Sequence, residues 1–267
     1  MYKSIFILAA LAGSLVAGAG EEHFNIPLWE SGKVPMATGD GPLDAPFLTV
    51  FLPPENKRNG TSVIIAPGGG NIMLMYGVEG LEVAERFNDW GTTAFVLTYR
   101  LSPPYGEAAR VLDGNRAMRL VRSRAKEFKL DPAKIVFAGF SAGSSMARSV
   151  AAAAGPGGAN APDPVDRLDS KPNYLLMVYS AGRATPGEKL KEFPPTFLLA
   201  AAHDTGAANG SAQLYLDMNR AGGVVEIHIY QKGRHGFGAA TTSPEFSPWM
   251  DAFKHFLKVS GFFGGTN

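Results

Sequence analysis

The spacing of apolar and polar positions divides the chain into alternating strand and helix segments. Residues 48–52 form a β-rich run stopped by Pro53 and Pro54. Residues 62–66 form a short continuous apolar run of the kind a buried parallel strand shows. Residues 78–90 carry apolar side chains at helical spacing (Val78, Leu81, Val83, Ala84, Phe87 and Trp90), and Gly91 supplies the stop. Residues 93–99 return to strand. A long amphipathic helix is expected over 107–129, with Leu112, Ala117, Leu120, Val121 and Phe128 apolar. Arg116, Arg119, Arg122, Arg124 and Lys126 lie mostly on its wet side. Strands follow at 134–138, 174–179, 196–201 and 224–230, and helices at 142–154, 211–221 and 248–259. Residues 20–46 and 155–171 are rich in Gly, Pro and Asp and read as irregular; 180–193 reads as loop and part of a small lid. This alternation implies an α/β fold, a mostly parallel central sheet with helices on both faces and a small lid or none.

Composition adds boundaries to that picture. A chain of 267 residues, 45% hydrophobic, supports one large domain over residues 20–267. A net charge of +1 with 18% charged residues favours neither nucleic acid nor an anionic membrane surface as a partner. The arginines of the long helix therefore read as a solvated face rather than a phosphate site. With no cysteine there is no disulfide framework, thiolate metal site or cysteine nucleophile. Lys3, the apolar run 5–16 and Ala17-Gly18-Ala19 have the order of a cleavable signal peptide over residues 1–19. The mature chain is then secreted or periplasmic and carries no membrane anchor.

The chemistry centres on Gly139-Phe140-Ser141-Ala142-Gly143, which lies between an apolar strand and an alanine-rich helix. That is the setting of a G-x-S-x-G nucleophile elbow, a sharp turn that lifts a serine hydroxyl above the end of a parallel sheet. A serine needs an adjacent base. His23 lies in the lead-in, His228 in a strand and His255 in a helix, and His203 borders a strand. His235, in Gly233-Arg234-His235-Gly236-Phe237-Gly238, follows the last strand, where α/β sites form, and is the candidate base. Asp204 is the one acidic residue between Glu192 and Asp217 and is the candidate orienting carboxylate, with a helix N-cap as its competing role. The order Ser141, Asp204, His235 is that of α/β-hydrolases. Pro67-Gly68-Gly69-Gly70-Asn71 follows a strand at the position of an oxyanion loop, so Gly69 and Gly70, with Ala142 from the elbow, are the candidate donors. No Gly-Lys-Ser/Thr follows the glycines and no G-x-G-x-x-G opens a helix, so no nucleotide cofactor is expected. Glu226 and His228 share a strand face without a third ligand, so no metal is expected either.

Taken as a set, these motifs resemble the acetylxylan-esterase-like carbohydrate esterases of the α/β-hydrolase superfamily. The resemblance is carried by residues 26–29, 67–70, 94–101, 119–124, 139–143, 194–197 and 228–238 and spans nearly all of the chain after the leader. It implies a secreted enzyme that removes acetyl groups from plant cell-wall carbohydrates such as xylan or pectin. The chain departs from the family pattern at Asn71, where an aromatic residue is usual, at Ser144-Ser145, where glycine and histidine are usual, and at His203, where a second aspartate is usual. Asp163 and Asp166 stand as alternative acids. A generic short-chain carboxylesterase and a catalytically impaired binding protein on the same scaffold are the competing readings, with a peptidase as a third. Oligomeric state, polysaccharide and acyl position are not encoded in these motifs.

Overall fold

Eight strands form one sheet in the order β1-β2-β4-β3-β5-β6-β7-β8. The strands are β1 (His23–Pro27), β2 (Phe47–Phe51), β3 (Ser62–Ala66), β4 (Thr93–Thr98), β5 (Ile135–Phe140), β6 (Tyr174–Val178), β7 (Thr196–Ala201) and β8 (Val225–Tyr230). The helices are α1 (Glu82–Asp89), α2 (Glu107–Ser123), α3 (Ala125–Phe128), α4 (Ala142–Ala153), α5 (Thr205–Arg220) and α6 (Pro248–Val259). This computed structural model describes residues 23–180, 188–241, 246 and 248–263. The expected signal peptide and residues 181–187 of the expected lid lie outside the described residues.

Strands β3 to β8 pair in parallel, and β2 alone runs against them, pairing antiparallel with both β1 and β4. The completely buried strands β3, β5 and β7 are those with unbroken apolar runs. Two apolar layers flank the sheet. Helices α1 and α6 pack Val83, Phe87, Trp249 and Phe253 on the face carrying Val63, Val96, Ala138 and Leu199. Helices α2, α4 and α5 pack Met118, Val121, Ala147, Val150 and Leu214 on the face carrying Ile64, Leu97, Phe137 and Leu198. The mostly parallel α/β architecture with helices on both faces is therefore that of an α/β-hydrolase.

Three local expectations are corrected. The lead-in contains β1, an edge strand with a single buried side chain, Ile26, whose alternation is too brief to register as a pattern. The long helix is interrupted at Arg124, giving α2 and α3. Three of its arginines are not a wet face, whereas Arg124 and Lys126 stay on the outside. Arg116 is buried and pairs with Asp163 at 2.5 Å and Asp166 at 2.8 Å, while its Nε donates to the Leu28 carbonyl. Arg119 Nε donates to the Leu168 carbonyl, and Arg122 donates to the carbonyls of Asp169 and Lys171. These guanidiniums staple the irregular segment 155–173 to α2, and Leu112 is exposed instead.

The loop above β4 is held by a fully buried ion pair. Arg100 Nη2 lies 2.7 Å from Asp113 Oδ1, Arg100 N–H donates to Asp113 Oδ2 at 2.9 Å, and Nη1 donates to the Pro35 carbonyl. Burial pushes the Asp113 carboxyl up, against the lowering effect of the Arg100 hydrogen bonds. Removing one partner leaves an uncompensated buried charge, so Arg100→Ala is expected to lower the unfolding free energy by about 3–5 kcal/mol in a urea titration.

Candidate functional site

The site is built on the carboxyl ends of the central strands. Ser141 follows β5, which lies between β3 and β6. Its backbone sits at φ 52° and ψ −115°, a conformation L-residues rarely adopt and which turns strand into helix within one residue. The flanking glycines are required sterically. A Cβ on Gly139 would come within 2.2 Å of the Gly143 carbonyl oxygen, and one on Gly143 within 1.9 Å of the Ala66 oxygen. Strand β3 and helix α4 therefore meet where no side chain fits. The Ser141 N–H donates to the Val178 carbonyl at 3.0 Å, which ties the turn to β6.

His235 and Asp204 converge on this serine from two later loops. His235 Nε2 lies 2.7 Å from Ser141 Oγ, and its Nδ1 is hydrogen-bonded to Asp204 Oδ2. A carboxylate can only accept at Nδ1, so Nδ1 carries the proton and Nε2 is left as the acceptor facing the serine. Asp204 has a second partner. Its Oδ1 accepts the Ala207 N–H at 3.3 Å and caps α5. The two roles weighed for this residue, orienting acid and helix cap, are occupied together by its two oxygens. His203 beside it is exposed, and Asp163 and Asp166 are engaged with Arg116. The imidazole is half-exposed, so the site opens to solvent.

The glycine loop stands over the elbow. Gly68 packs against it so closely that a Cβ there would lie 2.7 Å from both Ser141 Cβ and the Phe140 carbonyl oxygen. Gly69, Gly70 and Asn71 follow with φ of 125°, 66° and 65°, a left-handed run that only the first two residues enter without strain. The Gly68 N–H is already used, donating to Glu79 Oε2 at 2.7 Å. Among the candidate donors, Gly69 and Gly70 lie in the loop and Ala142 opens α4 at its positive end. Ile72, Met73 and Met75, directly after the glycines, are exposed and give this edge of the site an apolar rim.

Two buried residues here belong to no motif of the sequence. Glu79 sits in a single π-helical turn over Gly77–Leu81, ahead of α1, and Tyr179 follows β6 at φ 41°. The Tyr179 hydroxyl donates to Glu79 Oε1 at 2.5 Å and accepts the Gly238 N–H at 3.3 Å, and its ring lies 4.6 Å from that of His235. Burial pushes the Glu79 carboxyl up, against hydrogen bonds from Tyr179 and Gly68 that favour its charged form. An acidic residue inside an apolar helical pattern was the only available signal. The partner lies 100 positions away.

On β8, His228 Nε2 lies 2.7 Å from Glu226 Oε1, and its ring stacks on Phe197 at 5.0 Å. Among the described residues no three potential ligands gather. Also among the described residues, no helix is long and apolar enough to cross a membrane.

Comparison with known proteins finds relatives that are esterases or xylan-degrading enzymes. A match to the BD-FAE family covers residues 48–159. An acetylxylan esterase of Xylanibacter ruminicola is 28% identical over 90% of this chain and 52% of its own length. An endo-1,4-beta-xylanase B of Butyrivibrio fibrisolvens is 24% identical over 85% of this chain and 40% of its own. The chain thus spans about half the length of the curated relatives it matches, or less. Among solved structures, the acetyl ester-xyloside bifunctional hydrolase of Caldicellulosiruptor lactoaceticus superposes with a TM-score of 0.84. It is 28% identical, over 93% of this chain and 100% of that one.

Proposed function

From the premise that the chain is an acetylxylan-esterase-like α/β-hydrolase, we propose that it hydrolyses acetyl and other short acyl esters of plant cell-wall carbohydrates. The observation that carries this reading is the continuous relay from Ser141 Oγ through both nitrogens of His235 to Asp204, beside a glycine loop. In this mechanism His235 Nε2 takes the Ser141 proton as Oγ attacks the ester carbonyl. The Asp204 carboxylate stabilises the imidazolium that forms. Gly69, Gly70 and Ala142 N–H groups hold the tetrahedral oxyanion. The C–O bond to the sugar then breaks, and the imidazolium gives its proton to the departing alkoxide. Water, deprotonated by the same imidazole, releases the acid and regenerates Ser141. The half-exposed imidazole suits a substrate whose bulk stays outside the pocket, as a polysaccharide must.

A leader over residues 1–19 would export the enzyme to where such polymers lie. The sugar polymer is the partner this reading requires, and no cofactor enters it. The apolar rim at Ile72, Met73 and Met75 favours a second reading, a carboxylesterase for small apolar esters. Acetate release from acetylated xylan and acetylated pectin, compared with p-nitrophenyl acetate turnover, tests both. Release from a polymer at kcat/KM comparable to the small ester is the expected result. Turnover of the small ester alone selects the second reading, and turnover of neither leaves the impaired binding scaffold.

A further inference from the structure

We infer that Glu79 and Tyr179 are a positioning pair that sets the oxyanion loop and the His235 loop in register with Ser141; this rests on the esterase reading above. Three segments far apart in sequence meet at this pair. The Gly68 N–H ends on Glu79 Oε2, the Tyr179 hydroxyl on Glu79 Oε1, and the Gly238 N–H on the Tyr179 hydroxyl. The chain of contacts therefore runs from the root of the glycine loop to the far side of the loop that carries the base. The π turn adds backbone contacts of its own. Ala239 N–H donates to the Val78 carbonyl, and a Cβ on Gly238 would lie 2.1 Å from that same oxygen.

Glu79 and Tyr179 are only 2% and 1% exposed. Burying a carboxylate is costly unless its oxygens are hydrogen-bonded, and both oxygens of Glu79 are. An apolar pair could not fix the direction of a peptide N–H. Gly68 has no side chain to hold it and is wedged against Ser141 Cβ, so Glu79 on its N–H, with the Tyr99 hydroxyl on the Pro67 carbonyl, sets the plane of that peptide group and hence where the next N–H groups point. Tyr179 does the corresponding work on the other side, where its ring supports the imidazole face and its hydroxyl holds Gly238. A π turn, which shifts one residue out of helical register, is what brings the Glu79 carboxylate between these loops.

The roles separate by substitution. Tyr179→Phe keeps the ring against His235 and deletes the bridge. Glu79→Ala deletes both bonds, while Glu79→Gln keeps an acceptor for the Gly68 N–H and can donate to the tyrosine oxygen. The expected result with p-nitrophenyl acetate is a kcat about ten- to a hundredfold lower for Tyr179→Phe and Glu79→Ala, with KM changed less than about twofold. Glu79→Gln should recover most of that loss. Affinity for phenylboronic acid, whose tetrahedral adduct mimics the oxyanion, should fall in step with kcat. Tyr179→Phe carries the test if Glu79→Ala does not fold. Normal kcat and boronate affinity in Tyr179→Phe, and in Glu79→Ala where it folds, with only a lowered melting temperature, would overturn the inference and leave the esterase reading standing. No turnover by the unaltered protein would remove both.

Discussion

Replacing Ser141 with alanine is expected to lower kcat by about a million-fold while the fold persists. The size of the effect follows from the cooperation of the relay. Without Oγ, His235 has no proton to take at the position now 2.7 Å away, and Asp204 holds an imidazole with nothing to activate. What remains is the contribution of oxyanion donors and substrate binding to direct attack by water. Stability should change little. The strained φ of 52° belongs to the turn, and alanine meets the same strain as serine. The variant therefore separates chemistry from folding: steady-state turnover reads the first and urea unfolding the second. A Ser141→Ala protein with near-normal turnover would exclude the elbow as the site of acyl transfer.

Asp204→Asn is expected to lower kcat by about ten-thousand-fold and to leave the melting temperature almost unchanged. Asp204 accepts from two donors, the Ala207 backbone N–H and the His235 ring. Asparagine has one oxygen for these two places. A backbone amide cannot become an acceptor, whereas imidazole can do so by moving its proton. The amide oxygen therefore stays on the cap, where Asn and Asp are equivalent. The amide nitrogen then donates to Nδ1, which places the ring proton on Nε2 facing Ser141. In that tautomer the base cannot act. Asp204→Ala differs in a measurable way, because it loses the cap as well and should lower stability by about 1 kcal/mol. Activity close to the unaltered protein in Asp204→Asn would mean that another carboxylate serves His235.

The parts of this molecule legible in its sequence are those set by short-range pattern. Strands β3 and β7 and helix α6 fall where uninterrupted apolar runs or a strong amphipathic spacing place them. The glycines of the elbow and oxyanion loop were legible because close backbone approach demands them, and 139 and 143 meet backbone oxygens where any Cβ would stand. Helix α5 begins at Thr205, ahead of the helix expected from 211, because the Asp204 side chain caps it there despite Gly206 and Gly210. Arg116 looked solvated because its helix spacing is polar, and its burial depends on Asp163 and Asp166 some 50 positions downstream. Glu79 is the same case at longer range. Pairing that spans 47 to 100 residues leaves no periodic trace, so the buried ionic and polar contacts were the part that only three-dimensional contact reveals.

The central claim, acyl transfer through Ser141 activated by His235 and Asp204, is tested most directly by labelling with a fluorophosphonate ester and locating the adduct by peptide mass spectrometry while ester turnover is followed. The account requires one adduct per chain, on Ser141, with turnover falling in proportion to labelling and with no adduct in Ser141→Ala. Full labelling of Ser141 with turnover intact, or loss of turnover with the adduct on another residue, would contradict it.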